Sequence, residues 1–100
     1  MGLIRREAGF MAQVVCEVSA GLRDSEKTVA VRDIQGRRQF LRVEQDFLTH
    51  EGEQSYLPVG VVQATADGKV LIELPHEADS GANRLWIKRS DLRNGVESPA

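Results

Sequence analysis

The stretch Tyr56–Leu92, YLPVGVVQATADGKVLIELPHEADSGANRLWIKRSDL, holds the punctuation of the fold. Two apolar runs, Val59–Ala64 and Val70–Leu74, flank a turn centred on Asp67-Gly68. A polar nine-residue loop, Pro75–Asn83, follows, and then a third run, Leu85–Lys88. Short runs rich in β-branched residues and bounded by Gly, Asp and Asn read as strands. No window of the chain sustains the three-and-four spacing of an amphipathic helix.

Working outward, the same pattern recurs upstream. Strands are expected over Gln13–Ser19, Thr28–Ile34, Arg38–Val43, Tyr56–Val59 continuing to Ala64, Lys69–Leu74 and Arg84–Lys88. Ala20–Lys27 reads as a polar connection, and Ser90–Arg93 as one short helical turn. Residues 1–10 fit no strand pattern, and Met11 offers a second start. Residues 1–10 and 94–100 are expected to be loosely ordered around a single domain.

Turn chemistry sets the register of each hairpin. In Asp33-Ile34-Gln35-Gly36, Asp holds the first and Gly the fourth position of a type I turn, the preferred places. A three-residue loop with Gly36 as the bulge residue then sets Val29 opposite Leu41 and Ala30 opposite Phe40. Val29, Val31, Leu41 and Val43 share one face. A two-residue loop would mix those valines with Arg38 and Arg42, so the hydrophobic pattern rejects it. The same loop form at Thr65-Ala66-Asp67-Gly68 sets Val62 against Ile72 and Ala64 against Val70. The predicted core is Val29, Val31, Leu41, Val62, Val70, Ile72 and Leu74.

Five to six short antiparallel strands need closure, because open edges pair with other chains. A small twisted barrel or roll supplies it. The order of hairpin, excursion, hairpin, loop, last strand and short helical turn resembles SH3-like or PRC-type small barrels. The resemblance is one of architecture, and such barrels serve many functions.

Composition excludes several classes. With 13 basic and 15 acidic residues the formal charge is −2, so no bulk field draws the chain to nucleic acid or an anionic membrane. No apolar stretch approaches the length of a membrane span. Cys16 is the one cysteine; it lies in an apolar run and reads as a buried, inert thiol. The N-terminus lacks a signal-peptide core, and a cytoplasmic location is expected. No cofactor and no metal is expected, since the two histidines and one cysteine are far apart in sequence.

Three groups of residues are candidate sites. The face opposite the first hairpin's core gathers Thr28, Ala30, Arg32, Arg38, Phe40 and Arg42. Three arginines around one ring can hold a phosphate backbone with a base stacked on Phe40. The plainer and preferred reading is that Leu3–Phe10 or Leu92 covers Phe40 while the arginine heads stay solvated. The loop Pro75–Asn83 offers His76, Glu77 and Asp79, whose spacing matches no ligand or catalytic motif. It reads first as turn chemistry. Around Arg84, Trp86, Lys88 and Arg89, alternation turns Trp86 outward if Leu85 and Ile87 point in. The preferred reading buries this single Trp. The function expected is a non-enzymatic binding or accessory module. It would join a protein partner or a second copy of itself, with nucleic-acid binding as the alternative and a metal or catalytic site in the 75–83 loop as the weakest reading.

Overall fold

A computed structural model describes residues 12–94. The expectation of loose order for residues 1–10 and 94–100 falls, but for Asn94, outside the described residues. Eight strands follow in order: β1 Ala12–Ala20, β2 Glu26–Arg32, β3 Arg38–Glu44, β4 Thr49–Glu51, β5 Gln54–Ala64, β6 Lys69–Glu73, β7 Arg84–Lys88 and β8 Leu92–Arg93. They form a curled, antiparallel half-barrel sheet in the order β3-β2-β1-β5-β6-β7, with β4 beside β5 and β8 beside β1. No helix among the described residues is long and apolar enough to cross a membrane.

Two long strands make the curl. β1 pairs with β5 through Ala12–Cys16 and with β2 through Glu17–Ala20. β5 pairs with β4 through Gln54–Tyr56 and with β6 from Gly60 onward. Pro58 has no amide hydrogen to give to a ladder, and it falls in the gap between those two partners. The free edges are then tied together. Ile34 donates its amide hydrogen to the Trp86 carbonyl at 2.7 Å, joining the first hairpin to β7. Asp79 donates to the Phe40 carbonyl at 2.7 Å, laying the 75–83 loop along β3.

One turn form occurs three times. The Asp33 amide reaches the Arg37 carbonyl and the Gly36 amide reaches back to Asp33, at 2.8 and 2.9 Å. Thr65 with Gly68 and Lys69, and Ala78 with Gly81 and Ala82, repeat the pattern. Gly36, Gly68 and Gly81 have φ of 85°, 92° and 93°, the left-handed region that a side chain disfavours. The first hairpin register is as the turn chemistry predicts, with Val29 opposite Leu41 and Ala30 opposite Phe40.

The second hairpin differs by one residue. Ala64 faces Val70 as expected, but Val61, not Val62, faces Ile72, because a β-bulge intervenes between Val61 and Gln63. An inserted residue strengthens local twist, and this one falls where β5 follows β6 around the curl. Val62 is 41% exposed rather than in the core, and Val61, which takes the place opposite Ile72, is 38% exposed. The other six predicted core residues are buried, and they join Val14, Leu57, Val59, Leu85 and Ile87 in one cluster. Leu71 lies on the other face, opposite Trp86.

Strand number also departs from expectation, eight against five to six. β4 and β8 are too short, at three and two residues, to show alternation. The helical turn is a 3₁₀ turn over Arg89–Asp91, one residue earlier than expected, and Leu92–Arg93 leave it to pair with β1. A second 3₁₀ turn, Gln45–Phe47, precedes β4.

Candidate functional site

The outer face of β2 and β3 is built by the register of their hairpin. Arg32 stands directly opposite Arg38, a like-charge pair that is destabilising when alone. Glu17 on β1 sits beside Ala30 and resolves it. Its carboxylate accepts from Arg38 Nε at 2.9 Å and lies 3.7 Å from an Arg32 guanidinium nitrogen. Arg32 also donates to the Gly36 carbonyl at 3.0 Å. Arg42, two residues beyond Phe40, grips Asp79 through its two terminal guanidinium nitrogens. The hydrogen bond from Arg42 to Asp79, and then the charge of Asp79, push the Arg42 pKa up.

Phe40 stands among these pairs with 42% of its surface exposed. Across the ladder lies Ala30, itself buried, whose methyl leaves the ring room on the sheet surface. Leu3–Phe10, one of the covers expected for Phe40, lies outside the described residues. An open cleft of about 230 Å³ runs beside the ring past Glu17, Thr28 and Arg38.

The 75–83 loop is a structural cover for β3. Leu74 donates to the Asn83 carbonyl at 2.8 Å, and the Asn83 side chain returns a bond to the Leu74 carbonyl at 3.2 Å, closing its base. Ala78 is buried in the core, and the Ser80 hydroxyl donates to the Gln39 side chain at 2.7 Å. Of the three polar candidates, Asp79 is held by Arg42, while His76 and Glu77 are exposed. His76 faces a groove of about 330 Å³ with Phe47, Pro75 and Val43. Among the described residues no group of three or more His, Cys, Asp or Glu side chains is placed to hold a metal ion.

Trp86 lies on the outer side of β7, half-buried, because Leu85 and Ile87 take the core side. It borders a separate cleft of about 260 Å³ with Ile34, Arg37 and Arg84. The Cys16 thiol is 9% exposed, and burial, aided by Glu17, pushes its pKa up to about 12. A thiol so protonated at neutral pH is a packing group.

Two clusters were not legible from spacing. Asp33 is 6% exposed and accepts from the amides of Gln35 and Arg37, from Arg37 Nε and from the Gln39 side chain, at 2.9–3.2 Å. Burial pushes this carboxyl up, but the bonds from Gln39, Arg37 and Gln35 outweigh it and hold the pKa below the usual value. Arg93 lies 3.5 Å from the Tyr56 ring centroid and donates to both Glu51 oxygens, at 2.7 and 3.1 Å, and to the Gln13 side chain at 2.8 Å. That knot ties β8 to β1, β4 and β5. Alternation along β1 already turned Glu17 outward, but its meeting with Arg32 and Arg38 needed the β1–β2 register.

Compared with known proteins, this chain matches no family model, no curated protein and no solved structure.

Proposed function

We propose that this chain is a non-catalytic interaction module, a small barrel of the SH3-like or PRC-type kind. It docks on a partner protein through the outer face of β2 and β3. The observation that carries the reading is Phe40, 42% exposed at the middle of the end strand β3 and flanked by arginines already held by carboxylates. An aromatic anchor inside a rim of fixed polar groups is the arrangement found where protein interfaces concentrate their energy. The carboxylates hold the long side chains before binding, which lowers the ordering cost on association. Arg32, Arg38 and Arg42 face Glu17 and Asp79, so the surface keeps a net of one positive charge. The partner segment that suits it carries an apolar group beside an acidic one. The single cysteine, with no disulfide partner in this sequence, suits a cytoplasmic setting.

The alternative, nucleic-acid binding at the same face, loses support from those ion pairs. Phosphate binding needs guanidinium groups free to replace counterions. Panning a displayed peptide library against the immobilised full chain tests both readings. Selected peptides should pair an apolar residue with Asp or Glu, and Phe40→Ala should weaken them by at least ~2 kcal/mol, the scale of an anchor residue. Peptides that bind Phe40→Ala as well as the parent chain would refute the protein-docking reading. Salt-sensitive retention on an oligonucleotide column, lost in Arg38→Glu with Arg42→Glu, would favour the alternative.

A further inference from the structure

We propose that the partner segment docked on Phe40 runs along the β2–β3 hairpin and ends in a lysine or arginine beside an apolar residue, seated in the groove of Phe47, Val43 and Pro75. The inference rests on the Phe40 reading and adds to it the chemistry of the segment's far end.

The hairpin register sets a row of pairs on its outer face: Arg32 opposite Arg38, Ala30 opposite Phe40, Thr28 opposite Arg42 and Glu26 opposite Glu44. Each end of the row carries two like charges side by side, which is destabilising unless an opposite charge joins them. Glu17 joins the arginines. The glutamates have no such neighbour: among the described residues, no lysine or arginine nitrogen lies within ion-pair distance of either. Arg42, next to Glu44 on this face, is held by Asp79 instead.

The apolar part lies against that charge. A groove of about 330 Å³ takes in Phe47, Val43 and Pro75 together with Glu26 and Glu44. Phe47 is 40% exposed and belongs to the 3₁₀ turn that follows β3. The Gln45 amide donates to the Ser25 carbonyl at 2.7 Å and fixes that turn against the start of β2. Ring and carboxylates are thus held in place before anything binds, which lowers the cost of association. The strands beside this end are described ones: Ala20 of β1 pairs with Lys27, and the 75–83 loop lies along β3. The described chain stops at Ala12 and Asn94, next to the Gln13–Arg93 rung at the opposite end of β1 from Ala20.

Charge complementarity selects the occupant. An apolar groove rimmed by two uncompensated carboxylates favours a cationic side chain and rejects an acidic one. Glu44 lies roughly 13 Å along β3 from Phe40 at the ~3.3 Å rise of a strand, so an extended segment places its basic residue about four positions from its apolar anchor. Its acidic end then faces Arg32 and Arg38, and its basic end faces Glu26 and Glu44.

Titration of the full chain with two labelled synthetic peptides tests the proposal. Both carry Asp beside Leu, and about four positions on either Lys or Glu beside a second Leu, each made in both chain directions. The Lys peptide should bind at least ~10-fold tighter than the Glu peptide. Glu44→Lys should reverse that preference, Phe47→Ala should weaken the Lys peptide, and Phe40→Ala should weaken both peptides alike. Equal binding of the two peptides, or a preference unchanged in Glu44→Lys, overturns the inference, while sensitivity to Phe40→Ala leaves the docking reading standing. Binding indifferent to Phe40→Ala, or no binding by either peptide, overturns both. Thermal melting of Glu44→Gln needs no peptide: Tm should rise at low salt, and the rise should shrink as salt screens the repulsion. A Tm that does not rise shows the carboxylates already compensated and overturns the inference. So does tighter binding of the Lys peptide to Arg5→Glu with Arg6→Glu, which would assign the groove to the chain's own N-terminal segment.

Discussion

Removing the Asp33 carboxylate should cost about 2 kcal/mol of stability. The side chain is 7% exposed and accepts four hydrogen bonds, two from the Gln35 and Arg37 amides that hold the turn and two from side chains. The Arg37 side chain is 69% exposed, so its ion pair adds little. The two amides and Gln39 each contribute about 0.5–1.5 kcal/mol net, and the higher end applies to a charged acceptor. Freed amides in this exposed turn regain water, which keeps the sum near the lower end. For a domain of this size about 2 kcal/mol corresponds to a fall of roughly 8–15 °C in Tm. Urea unfolding of Asp33→Ala should show a lower midpoint at unchanged slope. Asp33→Asn should fall between, since it keeps an acceptor for the amides but turns a donor toward Gln39 and Arg37. Acid separates the charge from the shape. The folded pKa lies below the unfolded value of about 3.9, so the charge contributes fully above pH ~4 and is lost as pH falls through the folded value. The gap between parent and Asp33→Asn should therefore narrow in acid. A cost under ~0.5 kcal/mol for Asp33→Ala, or a gap that does not narrow, would refute the reasoning, because surface changes alone reach that size.

Three further outcomes follow from the packing. Ile72→Ala should cost about 2–5 kcal/mol in chemical unfolding, Leu71→Ala less, and Val62→Ala, at an exposed position, no more than about 0.5 kcal/mol. Gly21→Ala should destabilise the β1–β2 hairpin, since a Cβ there would stand 2.5 Å from the Glu26 carbonyl oxygen; thermal melting reads it. Arg93→Gln should abolish the depression of the Glu51 pKa, which the hydrogen bond and charge of Arg93 hold below its usual value, and a carboxyl titration by NMR checks it.

The hairpins were legible because their determinants are local. Asp33 and Gly36, or Thr65 and Gly68, sit within a few residues of the strands they align, and alternation then sorts Val29, Val31 and Leu41 from Arg38, Phe40 and Arg42. Gly36, Gly68 and Gly81 all adopt the left-handed conformation that this turn requires. The candidate face was legible for the same reason, as six residues on one side of one hairpin. The expectation of a buried Trp86 is corrected: alternation gives two faces without saying which is inside, and burial of Leu85 and Ile87 leaves Trp86 half-buried on the outer side.

Everything else waited on which strands are neighbours. Glu17 is an ordinary outward residue of β1 until β2 brings Arg32 and Arg38 to it. Asp79 is one polar residue of a turn-rich loop until that loop folds onto β3 and gives it to Arg42. Arg93 meets Glu51 and Gln13 across 42 and 80 positions of sequence. The bulge at Val62 answers a bend that exists only because β5 changes partners. By itself the sequence determined the six longer strands, the turns of both hairpins and the two faces of the first, since backbone preference and period-two alternation act over a few residues. The tertiary structure alone decided the charge pairing and the bulge, since each depends on where a distant strand comes to lie.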